Sequence, residues 1–189
     1  MVIILIIQVH DLNLVHEVIL EQVVKHEHEL RLEQGNNYHY KIIILITILL
    51  EVEVVDEVKK TIPRIHLLFT LDTLKYLALG GRIGKAKALL GSVLNVKPIL
   101  AIKDGEVLPG GQVRSRSKSI DRLVEFAQSA PNIEELAIVY NTTPDEAEAL
   151  TERISSMFPK ERIRLARLGP LLGVHAGPRA LAVAYSQKE

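Results

Sequence analysis

The sequence holds no cysteine, which excludes a disulfide framework, a thiol nucleophile and any cysteine-bound metal, and fits a cytoplasmic location. It has no excess charge of either sign: the formal net charge is zero, so nothing electrostatic calls for a nucleic-acid partner. It also lacks an apolar run long enough to cross a bilayer. Ile42–Leu50, broken only by Thr47, is far shorter than the roughly 20 residues a spanning helix needs. Met1–Gln8 is apolar, but no basic residue precedes it and no small-residue cleavage site follows, so it reads poorly as a signal peptide. What is present is ordinary for a globular domain: 48% hydrophobic and 24% charged residues, enough to bury a core.

A second set of absences is local. Residues 1–60 contain no Ala, Ser, Pro or Phe and a single glycine, Gly35, yet five of the seven histidines fall there. Residues 61–189 hold 14 Ala, all eight Pro and ten of the eleven Gly. Helices that pack closely on sheets lean on small residues. The first segment therefore reads as different in origin from the second: truncated, engineered, fused or misassigned. Its pattern predicts β-α-β-α. Val2–Val9 is a buried strand, and a helix capped by Asp11 or Asn13 runs to about Glu33. Lys41–Leu50 is a second strand and Val52–Lys60 a short helix, with a single helix over Lys41–Lys60 as the alternative. Its exposed apolar strand edges would favour a homodimer. His26 and His28 do not converge as helical metal ligands, because i and i+2 face apart, and with His16 they are not expected to form a metal site.

The second segment reads as a mixed α/β domain. Strands are expected at Ile65–Phe69, Lys97–Lys103, Glu106–Arg114, Glu135–Tyr140, Ile163–Arg167 and Leu181–Ala184. Asp104-Gly105 marks a hairpin. Helices are expected from Asp72 or Thr73 to Gly80-Gly81, then at Lys85–Leu94, Ser117–Ser129 and Pro144–Phe158, the last with proline at its first position. Ser92, Ser115 and Ser119 lack a nucleophile-elbow context, and Gly80–Lys85 has the wrong spacing for a phosphate loop. The sequence shows no nucleophile–base set, so an enzyme is not expected.

Four stretches in this half together resemble the DegV family. They are Leu71-Asp72-Thr73-Leu74-Lys75-Tyr76-Leu77 leading to Gly80-Gly81-Arg82-Ile83; Leu90-Gly91-Ser92-Val93-Leu94-Asn95-Val96-Lys97-Pro98-Ile99-Leu100; Lys103-Asp104-Gly105 leading to Val113-Arg114; and Gly173-Val174-His175-Ala176-Gly177-Pro178. The resemblance covers about two thirds of the chain, residues 61–189. It implies a two-domain protein with a long-chain fatty acid in a tunnel between the domains. Such proteins present the acyl chain to a separate fatty acid kinase subunit and do not transfer the phosphoryl group themselves. No cofactor is implied. Carried over by motif, Arg82 and His175 are the head-group residues on this half. Helical spacing adds Leu89, Leu90, Val93 and Leu94 as tunnel wall.

Two departures from the pattern stand out. The family's first domain supplies a Thr-Ser pair and a Ser-Gly-Thr turn to the carboxylate site, whereas residues 1–60 hold no Ser and only Thr47. Binding impaired by a missing first domain is one expectation; a truncated or chimeric scaffold that binds nothing is the alternative. Arg179 also stands where the family usually has glycine, so it alters the turn or adds charge near the head group.

From the residues alone, Arg82 reads two ways. Flanked by glycines, its guanidinium suits a bidentate contact to a carboxylate; equally, Gly80-Gly81 reads as a helix stop followed by a surface arginine. His175 reads as a hydrogen-bond donor to a carboxylate or as a histidine satisfied by backbone. Arg114, Arg116 and Lys118 read as a solvated strand end and helix start in preference to a phosphate or kinase-docking patch. No aromatic residues interleave them for nucleic-acid stacking.

Overall fold

The computed structural model describes residues 58–90 and 96–188. The expected β-α-β-α segment, except its last residues, its histidines and strand edges, and Val93 and Leu94 lie outside the described residues. The unit Arg64–Glu189 is described here.

Six strands form one mixed sheet in the order β3-β2-β1-β6-β4-β5. They are β1 Ile65–Thr70, β2 Lys97–Lys103, β3 Glu106–Val113, β4 Ile133–Tyr140, β5 Ile163–Arg167 and β6 Leu181–Gln187. The α-helices are α1 Lys75–Leu79, α2 Arg116–Gln128, α3 Pro144–Ile154 and α4 Pro170–Ala176. Of these six strands, only β4 and β5 pair in parallel. A parallel pair needs a crossover, and α3 supplies it. In the β2–β3 hairpin, Asp104 (φ 52) and Gly105 (φ 75) both adopt the left-handed conformation that a two-residue turn demands.

The alternation of strand side chains splits the core in two. Leu68 packs with α2 and α3 against Leu123, Leu136, Leu150 and Val183. Its neighbour Phe69 packs on the opposite side with Leu71, Leu74, Leu77 and Leu100. Apolar residues on both faces explain why β1, β4 and β6 read as near-continuous hydrophobic runs.

The mixed α/β architecture matches the sequence expectation, with local differences. The helix expected over Lys85–Leu94 is a 3-10 helix at Gly84–Leu89, and Leu90 is already extended. Gly84 (φ 51) presses so closely on β3 that an added Cβ would lie 2.9 Å from the Val107 carbonyl oxygen. That contact fixes a tight, short helix of the kind 3-10 geometry serves. α3 stops at Ile154, not Phe158; the chain turns so that Phe158 is buried beneath it. β6 runs on to Gln187 because it pairs with β4 as far as Ile133. α4 was not expected at all.

Candidate functional site

α1 ends in two glycines, and the backbone there closes a Schellman turn. The Gly81 N–H donates to Ala78 O at 3.1 Å and the Arg82 N–H to Leu77 O at 2.9 Å. Gly81 carries the left-handed φ of 67° that this cap requires. The helix-stop reading of Gly80-Gly81 is therefore correct as geometry. It is also compatible with a binding role, because the cap sets where Arg82 starts. The Arg82 side chain folds back and Nη1 donates to Gly80 O at 2.9 Å. Arg82 is exposed, and its other guanidinium nitrogens have no partner among the described residues.

His175 arrives from the far end of the unit on α4. Proline at the first helical turn and Gly177 just past the last residue bracket this helix. Its imidazole lies directly on Gly80: a Cβ built there would fall 2.0 Å from Nδ1. Only glycine leaves room for this approach. Gly177 does the same for Tyr76, whose ring lies where a Cβ would be, 2.3 Å from Cδ2. Gly177 (φ 76) is also left-handed. Tyr76 meets Gly177 and Gly80 meets His175, so α1 and the α4 turn pass each other in opposite directions. Arg82 and His175, 93 positions apart in sequence, thus both rest on one residue, Gly80.

Several residues of these two helices are apolar and exposed. Leu79 of α1 and Leu171 and Val174 of α4 are 76%, 70% and 64% exposed. Of the expected tunnel-wall residues, Leu90 is exposed. Leu89 instead packs on the core cluster around Leu77 and Ala86. A groove of about 680 Å³ runs along α4, lined by Tyr76, Asn141, Thr142, Arg167, Gly173 and Val174 among others. Neither Arg82 nor His175 lines it.

Arg179 keeps the left-handed backbone that glycine favours (φ 59) and holds its charge among acids. Nη2 lies 2.8 Å from Glu146 Oε1, and Nη1 lies 3.8 Å from Asp72 Oδ2. Asp72 also takes Lys97, and Glu146 also takes Arg116 at 2.6 Å. The chain Lys97–Asp72–Arg179–Glu146–Arg116 ties five segments at one end of the sheet. Burial pushes the Glu146 carboxyl up, but hydrogen bonds from Arg116 and Arg179, with the Arg116 charge, outweigh it and hold the group at about 2. Arg116 therefore departs from the solvated reading, whereas Arg114 and Lys118 are exposed.

Asn141 was missed in the sequence. It follows β4, and its amide Nδ2 donates to Gly177 O at 2.7 Å and to Gly173 O at 3.4 Å. Nothing in its neighbours marks it, because its partners lie more than 30 residues away. Among the described residues no cluster of His, Asp and Glu is suited to a metal, and no helix is long and apolar enough to cross a membrane.

A mixed six-stranded α/β unit whose last helix returns a histidine to a Gly-Gly-Arg turn defines the class, and comparison with known proteins supplies the family. The family described as "Uncharacterised protein, DegV family" matches residues 52–188, and the chain belongs to it. A DegV domain-containing protein of Streptomyces coelicolor is 40% identical over 125 residues, 64% of this chain and 44% of that protein. The solved structure of a fatty-acid-binding DegV family protein from Thermus thermophilus is similar, with 27% identity, a TM-score of 0.58, and coverage of 88% of this chain and 56% of that one. The Streptococcus pneumoniae fatty acid kinase B3 protein, loaded with linoleic acid, shares the fold, with TM-score 0.62, 19% identity, and coverage of 89% and 56%. The chain thus spans about half the length of the relatives it matches.

Proposed function

We propose that this chain binds a long-chain fatty acid, with the carboxylate at Arg82 and His175. The observation that carries the reading is that both side chains lie against Gly80, with exposed Leu79 and Val174 next to Gly80 and His175 in the chain. A guanidinium with unengaged nitrogens offers the planar fork that a carboxylate accepts. The His175 imidazole, on the same glycine, would donate a further hydrogen bond, and exposed apolar side chains on α1 and α4 suit an alkyl chain. In this reading the exposed Leu90 belongs to the acyl-chain wall, whereas Leu89 packs on the core. The fatty-acid-binding relative from Thermus thermophilus supports the ligand class.

In this reading the chain presents the carboxylate to a separate kinase subunit in the cytoplasm and does not itself transfer phosphate. The fold shared with the fatty acid kinase B3 protein supports that role. The test is direct. The purified chain is extracted with organic solvent and the extract is analysed by mass spectrometry. Stoichiometric fatty acid that is lost on Arg82→Ala is expected. A folded chain that yields none, and takes up none when oleate is supplied, overturns the reading.

A further inference from the structure

We infer that Asn141 is a positioning residue for His175, an inference that rests on the fatty-acid reading above and adds a residue to its site. The last carbonyls of a helix have no partner within it. α4 is only seven residues long, so little of its own bonding holds its end in place. Asn141 Nδ2 donates to the carbonyl of the C-cap residue, Gly177 O at 2.7 Å, and at 3.4 Å to Gly173 O inside the helix. These residues stand two positions before and two after His175. The Gly173 carbonyl also receives the Gly177 N–H at 2.9 Å, so the amide grips the turn that carries the imidazole.

Asn141 is itself fixed to the sheet. Its N–H donates to Ala180 O at 3.0 Å, and its carbonyl accepts from Arg167 Nε at 3.2 Å. It joins the end of β4 to a short helix that also packs on Gly80, on Tyr76 and, through Ala176, on the core. The bond requires a donor. An aspartate has the same shape but sets a carboxylate against two carbonyl oxygens at the negative end of a helix, which is repulsive. Asn141→Asp therefore loosens the α4 turn and lets the imidazole leave its place against Gly80. Asn141 does not touch the carboxylate; it acts through His175.

The test uses the full chain and cis-parinaric acid, whose fluorescence reports binding, in a double-mutant cycle of Asn141→Asp and His175→Ala. His175→Ala alone must weaken binding; if it does not, or if the wild type binds nothing, the fatty-acid reading fails first. Given that loss, Asn141→Asp is expected to weaken binding about tenfold and to add no further loss in the His175→Ala background. It should also shift the His175 ring resonances of the unliganded protein. If Asn141→Asp prevents folding, Asn141→Ser, too short to reach Gly177, takes its place with the same expectations. Unchanged affinity, unmoved ring resonances, or an equal loss with and without His175 overturns the inference while leaving the fatty-acid reading intact.

Discussion

Arg179 sits at a left-handed backbone position with its Nη2 2.8 Å from Glu146 Oε1. An arginine at a glycine-like φ has traded backbone ease for a charge that joins the β1–α1 loop to the start of α3. The two effects are separable. Arg179→Ala removes the ion pairs without relieving the backbone, whereas Arg179→Gly removes the same pairs and relieves it. Half-exposed pairs contribute about 0.5 kcal/mol each, and a non-glycine residue at this φ costs about 1 kcal/mol. Thermal unfolding should therefore rank Arg179→Gly above Arg179→Ala in stability. The reverse order would mean that the backbone is not strained.

Glu146 sets a pH dependence whose sign follows from its position. Its folded pKa, about 2, lies below the unfolded value near 4.5. The stabilisation is complete above the unfolded value and is lost as pH falls from about 4.5 through about 2. Allowing for solvent screening, it amounts to about 1–2 kcal/mol. Urea unfolding between pH 7 and pH 2.5 should show that loss in the wild type and a smaller one in Glu146→Gln. Equal slopes would remove Arg116 and Arg179 as the cause.

Gly80→Ala separates the site from the fold. Gly80 has an ordinary φ of −81°, so alanine is not excluded by the backbone. The three atoms nearest the added methyl all belong to the His175 ring, with Nδ1 at 2.0 Å, and the imidazole must move. Fatty-acid affinity should fall about tenfold, or about 1.4 kcal/mol, with a midpoint of thermal unfolding close to that of the wild type. Full affinity would show that the ring position is irrelevant to binding.

Gly177→Ala should be costly to the fold itself. The backbone is left-handed and the Tyr76 ring already fills the space of a Cβ. A loss of about 2 kcal/mol is expected from strain and overpacking together. Adding Tyr76→Ala should recover only the packing share. Complete recovery would place the whole cost in the ring contact.

Much of the fold was legible because local signals agreed with the final packing. Asp104-Gly105 announced a two-residue hairpin, Pro144 opened α3, and the apolar runs of β1, β4 and β6 matched strands buried on both faces. The signals failed where tertiary contact decides. Gly84 on Val107 holds the following turn to 3-10 geometry, which no periodicity reports. α4 was overlooked although Pro170 and Gly177 stand at its two ends, because a seven-residue helix with an internal glycine shows almost no period. Arg82 and His175 were singled out by motif alone; spacing in sequence says nothing of two residues that meet on the backbone of a third. The Arg116–Glu146–Arg179–Asp72 linkage was not legible at all, since each partner reads locally as an ordinary surface charge.

The carboxyl signal of [1-13C]oleate bound to the full chain, followed by NMR across pH, tests the central claim most directly. A guanidinium beside the carboxylate favours its charged form. The account predicts one bound resonance that titrates lower than that of the unbound acid, with a midpoint that rises on Arg82→Ala. A bound resonance that titrates identically in the wild type, Arg82→Ala and His175→Ala would contradict it.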